Sequence, residues 1–264
     1  MADVKISALP AASSAAGTDI LPADQSGTTR SVTVTQIGTY LAGAFPGLLN
    51  IQVLTSTSAN STYTPTTGTK SFLACLIGGG GAGASNNGNA NNKYCEGGGG
   101  SGAYVEYFNN AVAASYLYSC GGGGSAVANA SGNPGGNTIF GNASNNCAYG
   151  NAGGGGGATA VANGTTGTIG AAGGAAGVVN TGLWGLAGQV GGAGWRTNNA
   201  ANIQEGGTGG SAPRGGQGGV GQVGSSVSPG AGQNYGAGGG GAAGNNNMIA
   251  GAGAQGVIIV YEFQ

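Results

Sequence analysis

The amino-acid sequence predicts a mostly irregular and β chain: a layered bundle of polyglycine II helices closed by a small antiparallel β-sheet. Three observations point there. Of the 64 glycines in 264 residues, 58 fall between positions 78 and 256. The glycine is periodic: in "GLWGLAGQVGGAGW" it occupies 182, 185, 188, 191 and 194, a spacing that suits neither an α-helix nor a pleated strand. Five apolar segments of strand length stand at the two ends of this part: 51–56, 70–77, 103–108, 115–119 and 256–263.

The polyproline II backbone has three residues per turn and no internal hydrogen bonds. Glycine at every third position then forms one bare column along such a helix. The N–H and C=O groups must bond sideways to neighbouring helices, and any side chain on the column would hold the backbones apart. Collagen is excluded, because the triplet runs are short and only Pro134, Pro213 and Pro229 lie in the glycine-rich part. Runs with one glycine column, 164–173 and 182–194, should be outer. Runs with two columns, 206–210 and 215–221, should have neighbours on two sides. The pure runs Gly78–Gly81, Gly97–Gly100, Gly121–Gly124, Gly153–Gly157 and Gly238–Gly241 should be central.

Charge and cysteine usage narrow the function. Six basic and seven acidic residues, and no histidine, leave no basic surface to track phosphates, which argues against a nucleic-acid partner. The N-terminus does not read as a signal peptide, and no apolar run is long enough for a transmembrane helix. Cys75, Cys95, Cys120 and Cys147 form no CxxC pair, so neither a metal nor a cofactor is expected. They are buried thiols, or Cys95 and Cys147 link two loops.

Residues 1–50 read as a separate attachment and trimerisation segment, and 51–264 as the glycine-rich domain. Within 31–45, Val34, Ile37 and Leu41 share one helix face, and Thr33 and Gln36 have capping-box spacing. So narrow a stripe is either a seam between copies of the chain or a contact within its own domain.

Between glycine runs lie segments of different composition: 84–96, 125–149, 178–184, 195–205, 225–235 and 245–249. They gather asparagine, aromatic and charged residues. Asparagine suits turns, because it tolerates positive φ. Trp195 with Arg196, followed by Asn198 and Asn199, has the composition of a binding hot spot. Lys93, Tyr94, Tyr149, Trp184 and Tyr235 complete the candidate surface. Alternatively, Trp184 and Trp195 cap the bundle against each other.

The stretch 6–41, "ISALPAASSAAGTDILPADQSGTTRSVTVTQIGTYL", resembles the N-terminal segment of bacteriophage tail-fibre proteins. Residues 62–81, 97–124 and the ending "AGAQGVIIVYEF" look like the glycine-rich domain at the tips of phage fibres. That likeness extends to the adhesins capping the long tail fibres of T-even-like phages, which are polyglycine II bundles presenting receptor-binding loops. The resemblance implies a virion-borne receptor-binding protein whose partners are a bacterial surface polysaccharide or outer-membrane protein. It also implies a fibre-like N-terminal segment that joins other tail or baseplate proteins, in a homotrimer or as a cap on another fibre. An ice-binding protein is the structural alternative. A glycan-cleaving tailspike would need two convergent carboxylates, and Glu96, Glu106 and Glu205 are the only acids between 78 and 256.

Overall fold

The computed structural model describes residues 20–25, 28–33, 35–36, 47–86, 94–142, 147–152, 174–175, 177–181, 184–196, 204–223, 228–244 and 247–264. The chain divides into two compact units, Met1–Leu48 with Phe263–Gln264, and Leu49–Glu262. Among the described residues the strands, in chain order, begin with β1 (Ile20–Gln25), β2 (Thr28–Thr33), β3 (Leu48–Leu54), β4 (Ser61–Tyr63) and β5 (Ser71–Ile77). β6 (Tyr94–Cys95), β7 (Tyr104–Asn109), β8 (Tyr116–Ser119), β9 (Thr138–Asn142), β10 (Cys147–Ala152) and β11 (Val179–Thr181) follow. Last come β12 (Trp184–Leu186), β13 (Trp195–Arg196), β14 (Gln204–Glu205), β15 (Ala243–Gly244) and β16 (Val257–Phe263).

In the first unit β1 and β2 form an antiparallel hairpin that pairs Ile20 with Thr33 and Gln25 with Thr28. The helix expected over 31–45 therefore starts later, because the β-branched Val32 and Thr33 complete a strand. The capping pair is present: Gln36 N–H donates to Thr33 Oγ1 at 3.1 Å, and Thr33 N–H donates to Gln36 Oε1 at 2.8 Å. Val34, Ile37 and Leu41 lie outside the described residues.

Two five-stranded sheets, ordered β12-β7-β5-β16-β3 and β11-β10-β9-β8-β4, build the apolar part of the second unit. Strand alternation explains which faces meet. Phe72, Ala74 and Leu76 of β5, and Ile258 and Val260 of β16, are buried together with Leu54, Tyr63, Val105, Tyr116, Cys120 and Phe140. Rings fill the gap between the sheets: Phe72 stands edge-on to Tyr116 at 5.1 Å and to Phe140 at 5.7 Å, and Tyr116 stacks on Phe140 at 5.5 Å. A single small sheet was expected from 51–56, 70–77, 103–108, 115–119 and 256–263. Four of these segments do share one sheet, but 115–119 belongs to the other as β8. The second sheet draws on short strands among glycines and asparagines that carry little apolar alternation.

Glu262 is wholly buried at one edge of this core. Its Oε1 accepts from Tyr63 OH at 2.6 Å, Gln52 Nε2 at 3.0 Å and Thr66 N–H at 3.1 Å. Burial pushes its pKa up, but the hydrogen bonds from Thr66, Tyr63 and Gln52 outweigh it and hold the carboxyl below the ordinary value of 4.5. The carboxylate thereby ties β3 and the segment after β4 to β16.

Beyond Ile77 the chain leaves the sheet, and its hydrogen bonds change period. Along 78–86 successive N–H groups turn to three neighbours in rotation. Gly78, Gly81 and Ala84 donate to the carbonyls of Ala103, Gly100 and Gly97. Gly79, Ala82 and Ser85 donate to those of Gly136, Asn133 and Ala130, and Gly80, Gly83 and Asn86 to those of Ala254, Gly251 and Met248. Each neighbour is met at every third residue. A pleated strand, with two sides only, cannot address three.

Run 236–242 is the most enclosed. It donates to 78–86 (Gly239 and Ala242 to Gly81 and Ala84), to 206–210 (Gly238 and Gly241 to Gly210 and Gly207) and to Gly230 (from Gly240). It accepts from Glu96, Gly99 and Gly102, from Gly219 and Gln222, and from Gly251 and Ala254. Bonds to neighbours on every side leave no room for substituents. A methyl on Gly238 would overlap the Gly99 carbonyl, and one on Gly80 the Ala237 carbonyl.

Exposure follows the glycine columns, with one correction. Residues 78–86, 97–103 and 236–242 are buried throughout, whereas Thr208, Gln217 and Val220 of the two-column runs face solvent. In 187–194, Gly191 and Gly194 are buried while Gln189, Val190 and Ala193 are exposed. Gly121–Gly124, expected to be central, lies at an edge with Gly122 and Gly123 exposed. Its partners, 78–86, 130–136 and 251–256, leave one flank open. Runs 153–157 and 164–173 lie outside the described residues.

Gly238→Ala is expected to cost about 3 kcal/mol or to prevent folding. Gly122→Ala, with nothing within 4 Å of the added methyl, should stay within about 0.5 kcal/mol of the parent in urea unfolding. Because the Glu262 pKa is lowered in the folded state, its stabilisation is present above the ordinary value and lost as pH falls through the folded-state value. Melting temperatures should therefore fall on acidification from about pH 5 to pH 3. Glu262→Gln should melt lower at neutral pH and respond less to acid.

Candidate functional site

The glycine runs have two kinds of end. At one they enter the sheets, as 78 follows β5, 103 precedes β7 and 256 precedes β16. At the other end their flanks are tied together by short backbone pairings. Tyr94 and Cys95 pair antiparallel with Gly244 and Ala243, and Trp195 and Arg196 with Glu205 and Gln204. Glu205 also bridges to Val223, and Asn86 N–H donates to Met248 O at 3.3 Å. These residues flank the segments 87–93, 197–203, 224–227 and 245–246, so four connections between runs begin and end at this one end.

Buried amides and a hydroxyl hold the platform. Asn86 Nδ2 donates to Gly244 O at 3.3 Å, and its Oδ1 accepts from Met248 N–H at 2.8 Å. Gln222 Oε1 accepts from Ala243 N–H at 2.9 Å, and Ser85 Oγ from Ala250 N–H at 3.0 Å. The sequence reading passed over Asn86, Gln222 and Ser85. Their signal was position, since each is a polar residue at the end of a glycine run, where the next backbone partner has turned away.

Trp195, Glu205 and Val223 lie side by side on three successive segments, and residues directly opposite in antiparallel pairs share a face. Trp195 is 43% exposed, and Val223 and Ile249 more so. Among the described residues this end exposes Trp195, Val223 and Ile249 beside Glu205, with Arg196 next to Trp195 in the same strand, a set suited to stacking and hydrogen-bonded recognition.

A family described as a glycine-rich domain matches residues 55–262. The chain belongs to this glycine-rich domain family. No curated protein matches it.

The glycine-rich domain separates the candidate residues rather than gathering them. Trp184 pairs with Glu106 of β7 at the sheet end. The eleven residues from Trp184 to Trp195 follow an extended run that meets Ser101, Gly98 and Cys95 at three-residue intervals. An extended backbone rises about 3 Å per residue, so the two tryptophans lie roughly 30 Å apart along the run and do not cap the bundle against each other. Tyr235 is half-buried against Ile77, Tyr104 and Val257, also at the sheet end. Tyr94 and Arg196 are at the platform end as strand residues, and Tyr149 lies in β10. Lys93, Asn198 and Asn199 lie outside the described residues. Asn129 and Asn234, in two of the asparagine-rich segments, take left-handed backbone with φ of 58° and 60°, as turn chemistry requires.

A second polar cluster surrounds Trp184. Arg214, at a left-handed φ of 53°, lies over the Tyr104 ring at 5.1 Å and the Trp184 ring at 5.6 Å. Its Nη1 donates to Glu106 Oε1 and to Tyr104 OH, each at 3.3 Å, and Tyr104 OH donates to Glu106 Oε1 at 2.6 Å. Burial first, then hydrogen bonds with Cys75 and Glu106, push the Tyr104 hydroxyl up, which keeps it protonated as a donor. The cluster locks the turn at Pro213 and Arg214 onto the sheet.

Cys75, Cys95 and Cys120 are thiols rather than half-cystines, so Cys95 is not linked to Cys147. Burial pushes the Cys120 thiol up to about 11.

Asn86→Ala strands the Met248 N–H and the Gly244 carbonyl. It should cost about 2 kcal/mol in urea unfolding and speed amide exchange at Met248 selectively.

Proposed function

We propose that the chain is a bacteriophage tail-fibre receptor-binding protein that presents turns from a rigid polyglycine II scaffold to the bacterial surface. Two things support the scaffold reading: the rotation of hydrogen bonds through three neighbours at three-residue intervals, and the carbonyls packed against bare Cα positions. Three residues per turn without internal hydrogen bonds is the geometry of this helix.

One observation carries the binding reading. The residues that flank four connections between runs meet at one end, beside the exposed Trp195, Val223 and Ile249. Glycine runs cannot vary without losing their packing, so side-chain diversity concentrates in the connections, where function usually resides. Recognition fits this end better than catalysis: of the three acids in the glycine-rich part, Glu106 is tied to Arg214 at the sheet end and Glu96 is buried. On this reading the receptor is a surface polysaccharide or an outer-membrane protein. The segment 1–50 joins other tail or baseplate proteins and favours a homotrimer, and the protein resides in the virion with no cofactor.

Purified protein is expected to bind host cells and to compete with phage adsorption. Trp195→Ala should weaken cell binding at least tenfold, about 1.4 kcal/mol or more, with an unchanged melting temperature. Trp184→Ala, at the Arg214 cluster, should lower the melting temperature and leave binding intact. Unchanged binding by Trp195→Ala would remove it from the site. Thermal hysteresis without cell binding would favour the ice-binding reading.

A further inference from the structure

Three runs form one outer flank of the bundle. Run 188–195 bonds to 205–211, where Gly192 N–H donates to Thr208 O at 2.7 Å. Run 205–211 bonds in turn to 216–223, where Gly206 and Gly209 donate to Gln222 O and Gly219 O. Bare positions such as Gly191, Gly210 and Gly219 turn inward and are buried, while Val190, Thr208, Gln217 and Val220 turn outward and are exposed. Val190 and Val220 reach 67% and 56%. Gln189 folds onto the next run, where its Oε1 accepts from Ser211 N–H at 3.3 Å. Trp195, Glu205 and Val223 stand side by side at the platform end of the same three runs.

Size and chemistry narrow what this strip can hold. Laterally bonded extended backbones lie about 4.8 Å apart and rise about 3 Å per residue, so three runs of about eight residues cover roughly 10 Å by 24 Å. That is on the order of 250 Å², well short of the roughly 800 Å² that each partner gives to a specific protein interface. A single extended polymer chain fits such a width. Glu205 is the one charge in the three runs, so the strip has no cation for an anionic chain and repels one beside the indole. Threonine, glutamine and glutamate supply donors and acceptors for hydroxyl groups, and the indole presents an apolar ring to the C–H face of a sugar. The valines and the threonine are stiff at χ1 and ride on bonded backbones, so holding a ligand orders little that is not already ordered.

We propose that this strip binds an uncharged polysaccharide along its length, with one sugar ring stacked on Trp195 and hydroxyls bonded to Glu205, Thr208 and Gln217. The inference rests on the receptor reading: it extends that site from the Trp195 end along the flank and selects saccharide over outer-membrane protein.

Polysaccharide purified from host cells is the probe. In calorimetric titration it should bind the full chain with an affinity that changes less than about twofold between about 0.05 and 0.5 M salt, because no ion pair is there to be screened. Thr208→Arg, in the middle of the strip, should weaken that binding by about tenfold or more at an unchanged melting temperature. Ala252→Arg, exposed on a run whose bonds go to 78–86, 121–124 and 236–242, should bind as the parent does. Should Thr208→Arg fold poorly, Val220→Arg on the adjoining run should show the same loss. Cell binding that persists without polysaccharide binding overturns the proposal, assigns the site to an outer-membrane protein and leaves the receptor reading standing. Protein that binds neither cells nor polysaccharide removes both. Undiminished binding by folded Thr208→Arg and Val220→Arg overturns the strip, and an affinity that falls steeply with salt overturns an uncharged ligand. Thermal hysteresis that Thr208→Arg abolishes would assign the strip to ice instead.

Discussion

The structure depends on the approach of one backbone to another at bare Cα atoms. Gly80, Gly99 and Gly238 each face a carbonyl of a neighbouring run where a methyl would stand. That proximity lets successive N–H groups of one run reach three separate neighbours. Ordering glycine costs more backbone entropy than ordering any other residue. Each lateral bond returns only about 1 kcal/mol net. The interior of the scaffold is therefore stable through the number of such bonds, with large side chains contributing little there.

The aromatic sandwich complements this arrangement at the sheet end. Phe72, Tyr116 and Phe140 supply the burial of large rings that the runs lack. β5, β7 and β16 lead directly into the runs beginning at 78, ending at 103 and ending at 256, so a packed core sets the register of the backbones beside it. Among the described residues the other end has no such core. Asn86, Gln222 and Ser85 replace it with side-chain hydrogen bonds to backbone groups that no run can satisfy. One end is thus constrained by volume and the other by hydrogen bonding, and the second leaves the connections free to differ in composition.

The strand segments of the first sheet were legible because one buried face imposes an apolar alternation, as in Phe72, Ala74 and Leu76. The second sheet was harder to read. β9, TIFGN, and β10, CAYGNA, are short and interrupted by glycine, and their pairing is decided by neighbours distant in the chain. The candidate residues were legible by type, since Trp184 and Trp195 stand out in so bland a composition. Their separation was not, because it follows from the extension of the run between them.

By itself the sequence determined where side chains are tolerated: glycine columns mark the faces that touch other backbones, and Thr208, Gln217 and Val220 mark a face that does not. Which run neighbours which was decided only by the tertiary structure. All-glycine segments present the same bare surface to any partner, so composition cannot distinguish the enclosed 238–241 from the open-flanked 121–124. Their places are set by the strands and turns that enter and leave them.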